Sequence, residues 1–364
     1  MHIVKKILDE TAFLLAYKYK VHINLNDLHL FKEPLTDEDG NIDKLKFEER
    51  QRKSINIITQ ILNVHGKEKV VRFLGRLASM EPKIQELQPW VRDHVVHAIN
   101  TFLLGVYILE KVDILPLISV RFDYRFMWKL SGPTHDLGYP IEMAHNVKKT
   151  WVKEMNDILK ETDAPSPVLN PETYPQNLDR LCGDIDANDL IQKRLTEWAL
   201  GIDVEDYLGW LKIIKKTDHG VVSAFAQLKV IDALYYKFNP DKKEIDIVRE
   251  SLNFNQKNFD LDIVSASSAL FIHNIDLNYS GFSNKISLDL APLAFLLFLC
   301  DTFQEWDRYA EERPVYSGND FDINCTPNSI SLIVPEEIES DVYAALYQRL
   351  SGLLIEVNGR VAVT

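Results

Sequence analysis

The sequence predicts a mainly α-helical protein, a bundle of helices followed by a small C-terminal α+β unit. Three observations predict the helical class. Most segments with a clear period repeat apolar residues at helical spacing. The proline-rich stretches fall between those segments rather than inside them. Alternation of β-branched residues is confined to the chain beyond Arg313-Pro314.

Taken in order, residues 1–89 form an N-terminal helical extension whose clearest helix runs from Ile55 to Met80. Residues 90–310 carry the main helical unit. Asp93 to Glu110 places Val96, Phe102, Leu103, Val106 and Leu109 near one face, with only Gly105 as a weak breaker. Similar periods predict helices over Ile141–Leu159, Asp203–Ile214, Val221–Phe238, Asp262–Asn274 and Leu293–Ala310. Asp163 to Asn177 is dense in proline and reads as a loop; Asn239 to Asn258, polar around Pro240, reads as a loop or short excursion. Residues 311–364 form the α+β unit: a strand over Ser329–Val334, a helix over Val342–Glu356, and a short strand over Arg360–Thr364.

Charge narrows the function classes. Lys and Arg number 41 against 54 Asp and Glu, a formal charge of −13 over 364 residues, and no basic cluster interrupts it. Broad nucleic-acid binding, which draws its affinity from clustered cations on phosphates, is excluded on this ground. The longest apolar stretch, Leu290 to Cys300, is about half of the ~20 residues that cross a bilayer, so no membrane span is expected. Asp9 and Glu10 interrupt what would be the apolar core of a signal peptide, so the expected compartment is the cytoplasm. Cys182, Cys300 and Cys325 lack the paired spacing of a disulfide framework or thiolate cluster and read as packing residues.

The chemistry sits in a series of His and Asp residues on otherwise apolar helices: His97 in RDHVVHAINTFLLG, His135-Asp136 in SGPTHDLGYPIE, His219 in TDHGVVSAFAQL, His273 in SSALFIHN, and Asp301 in FLLFLCDTFQEWDR. Imidazole and carboxylate are costly to bury unless paired or metal-bound, so several converging on apolar helices point to a site. The order His, His-Asp, His, His, Asp resembles the HD-domain superfamily of metal-dependent phosphohydrolases, in its two-metal subgroup. HAINTFLLG is similar to the family's first helix, HDLGYP to its His-Asp turn, and LAFLLFLCDTFQEWDR to its last helix. The likeness covers roughly Trp90 to Ala310.

This resemblance implies a helical bundle holding two divalent transition metals. His97, His135, Asp136 and Asp301 would surround the first; Asp136, His219 and His273 would surround the second, with Asp136 as the bridge. Imidazole with carboxylate suits Mn, Fe, Ni, Co or Zn better than Mg or Ca. Water between two such ions about 3.5–4 Å apart is acidified enough to attack phosphorus in line at neutral pH, so no protein nucleophile is needed. The catalytic assignment falls on Asp136 and His219, and the expected substrate is a small phosphorylated molecule, a nucleotide above others.

Other residues divide between two readings. His94 lies three positions from His97, on nearly the same helical face; His97 fits the family helix better, which leaves His94 facing the substrate phosphate or backing a ligand. Arg92 and Arg308 are substrate-binding candidates by their places near His97 and Asp301, with a solvated ion pair as the alternative. Tyr139 stands where many family members carry a Lys or His, and offers only a neutral hydrogen bond to phosphate. Pro133 must kink or begin the turn before His135. Asp184, Asp186 and Asp189 lack the Gly and closing Glu of a calcium loop and read as a helix start. Two other functions share the ligand order or its departures: a di-iron oxygenase of the same superfamily, and a nucleotide sensor that binds without turnover.

Overall fold

A helix that is apolar on every side has to be surrounded, and three segments of this chain meet that condition. In the computed structural model, which describes residues 2–36, 43–62, 94–112, 124–145, 175, 177–181, 185–236, 259–308, 315–335, 338, 340–354 and 362–363, all three lie at the centre. His94–Lys111 is buried from His94 to Leu109, Val264–His273 is buried along its whole length, and Pro292–Phe303 is buried from Leu293 to Cys300.

α1 (Ile3–Tyr17) and α3 (Lys44–Leu62), with the short α2 (Leu25–His29) between them, cover the outer side of α4 (His94–Lys111). α5 (Tyr124–Ser131) leads through a tight 3₁₀ turn, Gly132–Thr134, to the His135-Asp136 turn and a helix α6 over 139–145. α7 (Ala187–Glu197) and α8 (Val204–Ile213) flank the centre, and α9 (His219–Tyr236) packs along α10 (Val264–His273). α11 (Pro292–Phe303) lies between α10 and α4, and α12 (Ser340–Leu350) rests on α11.

Local chemistry sets several helix starts. Asp186 and Asp203 accept hydrogen bonds from Asn188 N and Asp206 N at 2.9 Å each, satisfying amides that the first turns of α7 and α8 leave open. The reading of GDIDANDL as a helix start therefore holds at Asp186. Pro292 occupies the first turn of α11, where its missing N–H costs nothing. Gly105 in the middle of α4 is required by packing: a Cβ there would stand 1.9 Å from the ring of Trp128, which crosses from α5 and donates from Nε1 to Phe102 O at 3.0 Å.

The C-terminal unit holds three strands: β2 (Asp322–Thr326) runs antiparallel to β3 (Ser329–Ile333), and β3 pairs in parallel with β5 (Ala362–Val363). Lys6 of α1 ties this hairpin to the bundle, with Nζ donating to Asp322 Oδ1 at 2.6 Å and to Ile323 O at 2.7 Å. β1 (Ile286–Ser287) and β4 (Leu353–Leu354) make a second, two-stranded parallel pair. One continuous apolar core runs from Ile3 to Leu353.

Mainly α with a small C-terminal α+β unit is thus the observed class. Three helix ends differ from expectation by more than a turn, the first being the start of α3 at Lys44 rather than Ile55. α11 stops at Phe303 rather than near Ala310, because the Gln304 side chain turns back to donate from Nε2 to Trp306 O at 2.7 Å and Asp307 adopts a left-handed φ of 53°. The predicted helix over Val342–Glu356 starts at Ser340 and ends at Leu350, because Leu353 and Leu354 pair with Ile286 and Ser287. The strands β1, β2 and β4 were not expected from the sequence. Much of the predicted helices Ile55–Met80 and Ile141–Leu159, most of the loop Asp163–Asn177, all of Asn239–Asn258, Arg92 and Cys182 lie outside the described residues. Cys300 and Cys325 are free thiols, the first buried. No helix among the described residues is long and apolar enough to cross a membrane.

A buried clamp joins the ends of the bundle. Asp307 accepts from His2 Nε2 at 3.0 Å and from Arg50 Nη1 at 3.3 Å, while Gly318 N donates to its other oxygen at 3.3 Å. The turn after α11 is thereby held by α3 and the chain's second residue.

Candidate metal centre

Four central elements deliver histidines to one place because each carries a His at its inner end. His97 lies in the first turn of α4, His135 at the turn after α5, His219 at the first position of α9 and His273 at the last position of α10. Close backbone approach makes the convergence possible. A Cβ on Gly138 would stand 2.4 Å from His219 O, and one on Gly220 would stand 2.7 Å from Leu270 O. The absent side chains let the His-Asp turn, α9 and α10 meet at the cluster.

The turn itself is held by a buried amide network. Pro133 interrupts the α-helical pattern in a 3₁₀ turn, and the Leu130 carbonyl accepts from the Thr134 hydroxyl and from Gln227 Nε2, the latter at 2.8 Å. Gln227 also donates to Thr134 Oγ1 at 2.9 Å and accepts from Ser267 Oγ at 2.8 Å, so α9 links the turn to α10. Of the two roles the sequence leaves to Pro133, kinking the segment or beginning the turn, the structure shows the second.

The four histidines share one arrangement. His135 Nδ1 donates to Gly132 O at 2.7 Å and His273 Nδ1 to Leu270 O at 2.6 Å. His219 Nδ1 donates to Glu142 Oε2 at 2.7 Å. His97 Nδ1 donates to Gln304 Oε1, and the amide of Gln304 is oriented by its own bond to Trp306 O. With every Nδ1–H tied outward, every Nε2 turns inward, the pattern by which outer partners fix metal-binding imidazoles. His94 is the exception, pointing Nδ1 at Asp136 Oδ2 from 2.7 Å.

Asp136 stands at the middle, buried, with its two oxygens facing different histidines. Oδ2 faces His94, His135 at 3.3 Å and His97 at 3.9 Å; Oδ1 faces His219 at 3.1 Å and His273 at 3.7 Å. Asp301 approaches the first set, 2.9 Å from His97 Nε2 and 3.7 Å from His135 Nε2. Donor atoms of His97, His135 and Asp136 lie within 4.8 Å of one another, as do those of Asp136, His219 and His273. The protein matches no family model, no curated protein and no solved structure. What the centre can do therefore rests on its own chemistry.

That chemistry fits a cation. His135 Nε2 and His273 Nε2 are buried without a hydrogen-bond partner, a cost that an ion bound at these nitrogens would remove. Electrostatics agree with a pocket of competing charges. Burial pulls the His97 imidazole down to about 4 and lowers His273 as well. It pulls His135 down too, but Asp136 and Asp301 outweigh it and push this group up to about 10. Burial likewise opposes charge on Asp136 and Asp301, yet the neighbouring imidazoles hold both carboxyls well below the ordinary range. The set could hold metal ions; imidazole with carboxylate favours a transition metal over Mg or Ca.

A cavity of about 380 Å³ opens onto Asp136, His219 and Asp301. Of the substrate-binding candidates, His94, Tyr139 and Arg308 line it, and Arg92 lies outside the described residues. Tyr139 packs over His94 with ring centroids 3.4 Å apart. Arg308 reaches the cavity by the turn at Asp307, not along a continued helix, and bonds Glu305 Oε1 at 3.0 Å.

Three contributors were missed in the sequence. Glu142 fixes His219 from behind; it lies one helical turn beyond Tyr139, the only local signal that could have found it. Gln304 backs His97 and follows Asp301 by three positions, again one turn on. Arg349, on α12, donates to His273 O and stands 3.7 Å from Asp301 Oδ2, and nothing local marked it.

Proposed function

We propose that the protein is a metal-dependent phosphohydrolase of the HD type, cleaving a phosphate ester or anhydride, with nucleotides as the expected substrates. The observation that carries this reading is the division of Asp136, whose two oxygens face two separate histidine sets. A carboxylate so placed serves two cations at once, and the order of ligands along the chain is the one that resembles the two-metal HD subgroup.

Bound there, two divalent ions would supply Lewis acidity to a phosphoryl oxygen and lower the pKa of a water. His97, His135, Asp136 and Asp301 would hold one ion; Asp136, His219 and His273 the other. The remaining residues bind and orient. Glu142 and Gln304 keep His219 and His97 in the tautomer that presents Nε2. Tyr139 and Arg308 face the substrate from the cavity wall, and the buried core behind the histidines excludes bulk water from the ligand side.

The test is hydrolysis by the metal-reconstituted full chain over nucleoside mono-, di- and triphosphates, cyclic nucleotides and dinucleotides. Metal-dependent release of phosphate or nucleotide, lost in Asp136→Ala, supports the reading. Product that forms only with O₂ would overturn it in favour of the oxygenase, and saturable nucleotide binding without product in any metal would overturn it in favour of a sensor.

A further inference from the structure

Beside the metal centre, the cavity is walled by α12, from the C-terminal unit that the ligand pattern left without a role. Val342, Leu346 and Arg349 follow one another at helical spacing and all line the cavity. One helix face therefore presents an apolar strip and a cation to the same space.

Arg349 is aimed by neutral partners. Its guanidinium donates to the carbonyls of His273 and Ile275, the latter at 3.4 Å, and lies over the ring of Phe298 with 4.4 Å to the centroid. These contacts hold the group in place; the charge it carries is paired with a carboxylate beyond hydrogen-bond distance. The nearest carboxylate, Asp301 at 3.7 Å, is one the metal reading assigns to a cation. Across the same cavity, Arg308 spends Nη1 on Glu305 Oε1 and Gln304 O, while its buried Nε has no hydrogen-bond partner. The planar fork of Arg matches the oxygens of a phosphate.

We propose that Arg308 and Arg349 form an anion seat beside the metal centre, and that the seat takes a small phosphomonoester whose organic part lies against Val342 and Leu346. This rests on the phosphohydrolase reading and narrows it. The cavity is near the lower end of the ~300–1,000 Å³ range of small-ligand pockets, which fits a mononucleotide-sized molecule and not a nucleic-acid strand. Two guanidinium groups, with no lysine among the described lining residues, match one phosphoryl group rather than a triphosphate chain.

Calorimetry on the full chain reconstituted with Mn²⁺ tests this, with inorganic phosphate, a nucleoside monophosphate and a nucleoside triphosphate as probes and elemental analysis of every variant. The expected result is that Arg349→Gln and Arg308→Gln keep wild-type metal content and lose at least tenfold in affinity for the monophosphate, with Arg349→Lys between them and wild type. Leu346→Asp should weaken the monophosphate and leave inorganic phosphate within about twofold. Wild-type affinity in metal-loaded Arg349→Gln and Arg308→Gln overturns the seat and leaves the hydrolase reading standing. Loss of metal from Arg349→Gln also overturns it, by making Arg349 a positioning residue for Asp301 and His273. Tighter binding of triphosphate than monophosphate overturns the substrate class. A wild-type chain that takes up no metal refutes the hydrolase reading, and the seat with it.

Discussion

Replacing Glu142 with glutamine removes a charge from behind His219 while keeping the side chain's shape. One oxygen of Glu142 accepts from His219 Nδ1 at 2.7 Å and from His219 N at 3.0 Å, and the side chain is only 18% exposed. Burial opposes ionisation of this carboxyl, but His219 and Lys216 hold it below its ordinary value, so it is charged at neutral pH. A charge-assisted hydrogen bond contributes about 1.5–3 kcal/mol. Gln keeps an acceptor oxygen and so retains part of this. Loss of a partner behind a metal-binding histidine typically costs 10–100-fold in metal affinity, equivalent to about 1.4–2.7 kcal/mol. That loss should fall on the ion held by His219 and His273 alone, with Glu142→Ala at the upper end of the range. Competition with a chromophoric chelator, resolving the two binding steps on the full chain, is the assay. Two steps weakened equally, or neither changed by more than about twofold, would refute the reasoning that Glu142 acts through His219 on one ion.

Asp136→Ala should lose both metal equivalents by elemental analysis, because it removes the only carboxylate placed between the two histidine sets among the described residues; one equivalent retained would show that it does not bridge. Gly138→Ala pushes a methyl group to 2.4 Å from His219 O and 2.6 Å from Val222 Cβ, so chemical denaturation of the metal-free protein should show a loss of about 1–3 kcal/mol, as overpacking does. Metal uptake should release protons. His135, pushed up to about 10 by Asp136 and Asp301 against its burial, carries a proton at neutral pH that a metal on Nε2 must displace. Affinity should then rise with pH from 6 to 9, measured as acidification of a weakly buffered solution on titration; uptake without proton release would contradict this.

The sequence made the centre legible where a polar group had no business on an apolar helix. His97, His273 and Asp301 are conspicuous because their neighbours are Ile, Phe and Leu. Glu142, Gln304 and Arg349 were not, since a polar residue one contact removed from a ligand looks like any other surface residue until the chain is folded. Helix periods placed α4, α9, α10 and α11, of which α4, α10 and α11 are nearly all buried. The end of α11 was hidden: Gln304 to Trp306 continues the helical pattern, and only the bonds from Gln304 to His97 and Trp306 break it. Strands of two residues, such as Ile286–Ser287, are too short to carry a period at all, and the pattern around their partner Leu353–Leu354 is that of a helix.

The clamp on Asp307 has a consequence for the order in which the molecule is made. His2 and Asp307 are separated by 305 positions, and His97 and Asp301 by 204. During synthesis the helices carrying His2, Arg50 and His97 emerge first, yet the partner that fixes His2 and Arg50, and the carboxylate that completes the first histidine set, arrive 204 to 305 positions later. Contacts of such separation close late, since the loop between them must be ordered first. A nascent chain released before Asp301 would lack that carboxylate and the turn that places Arg308, and one released before residue 273 would lack His273 as well. A metal ion at the first histidine set would thus find its full set of ligands only after Asp301 has been made.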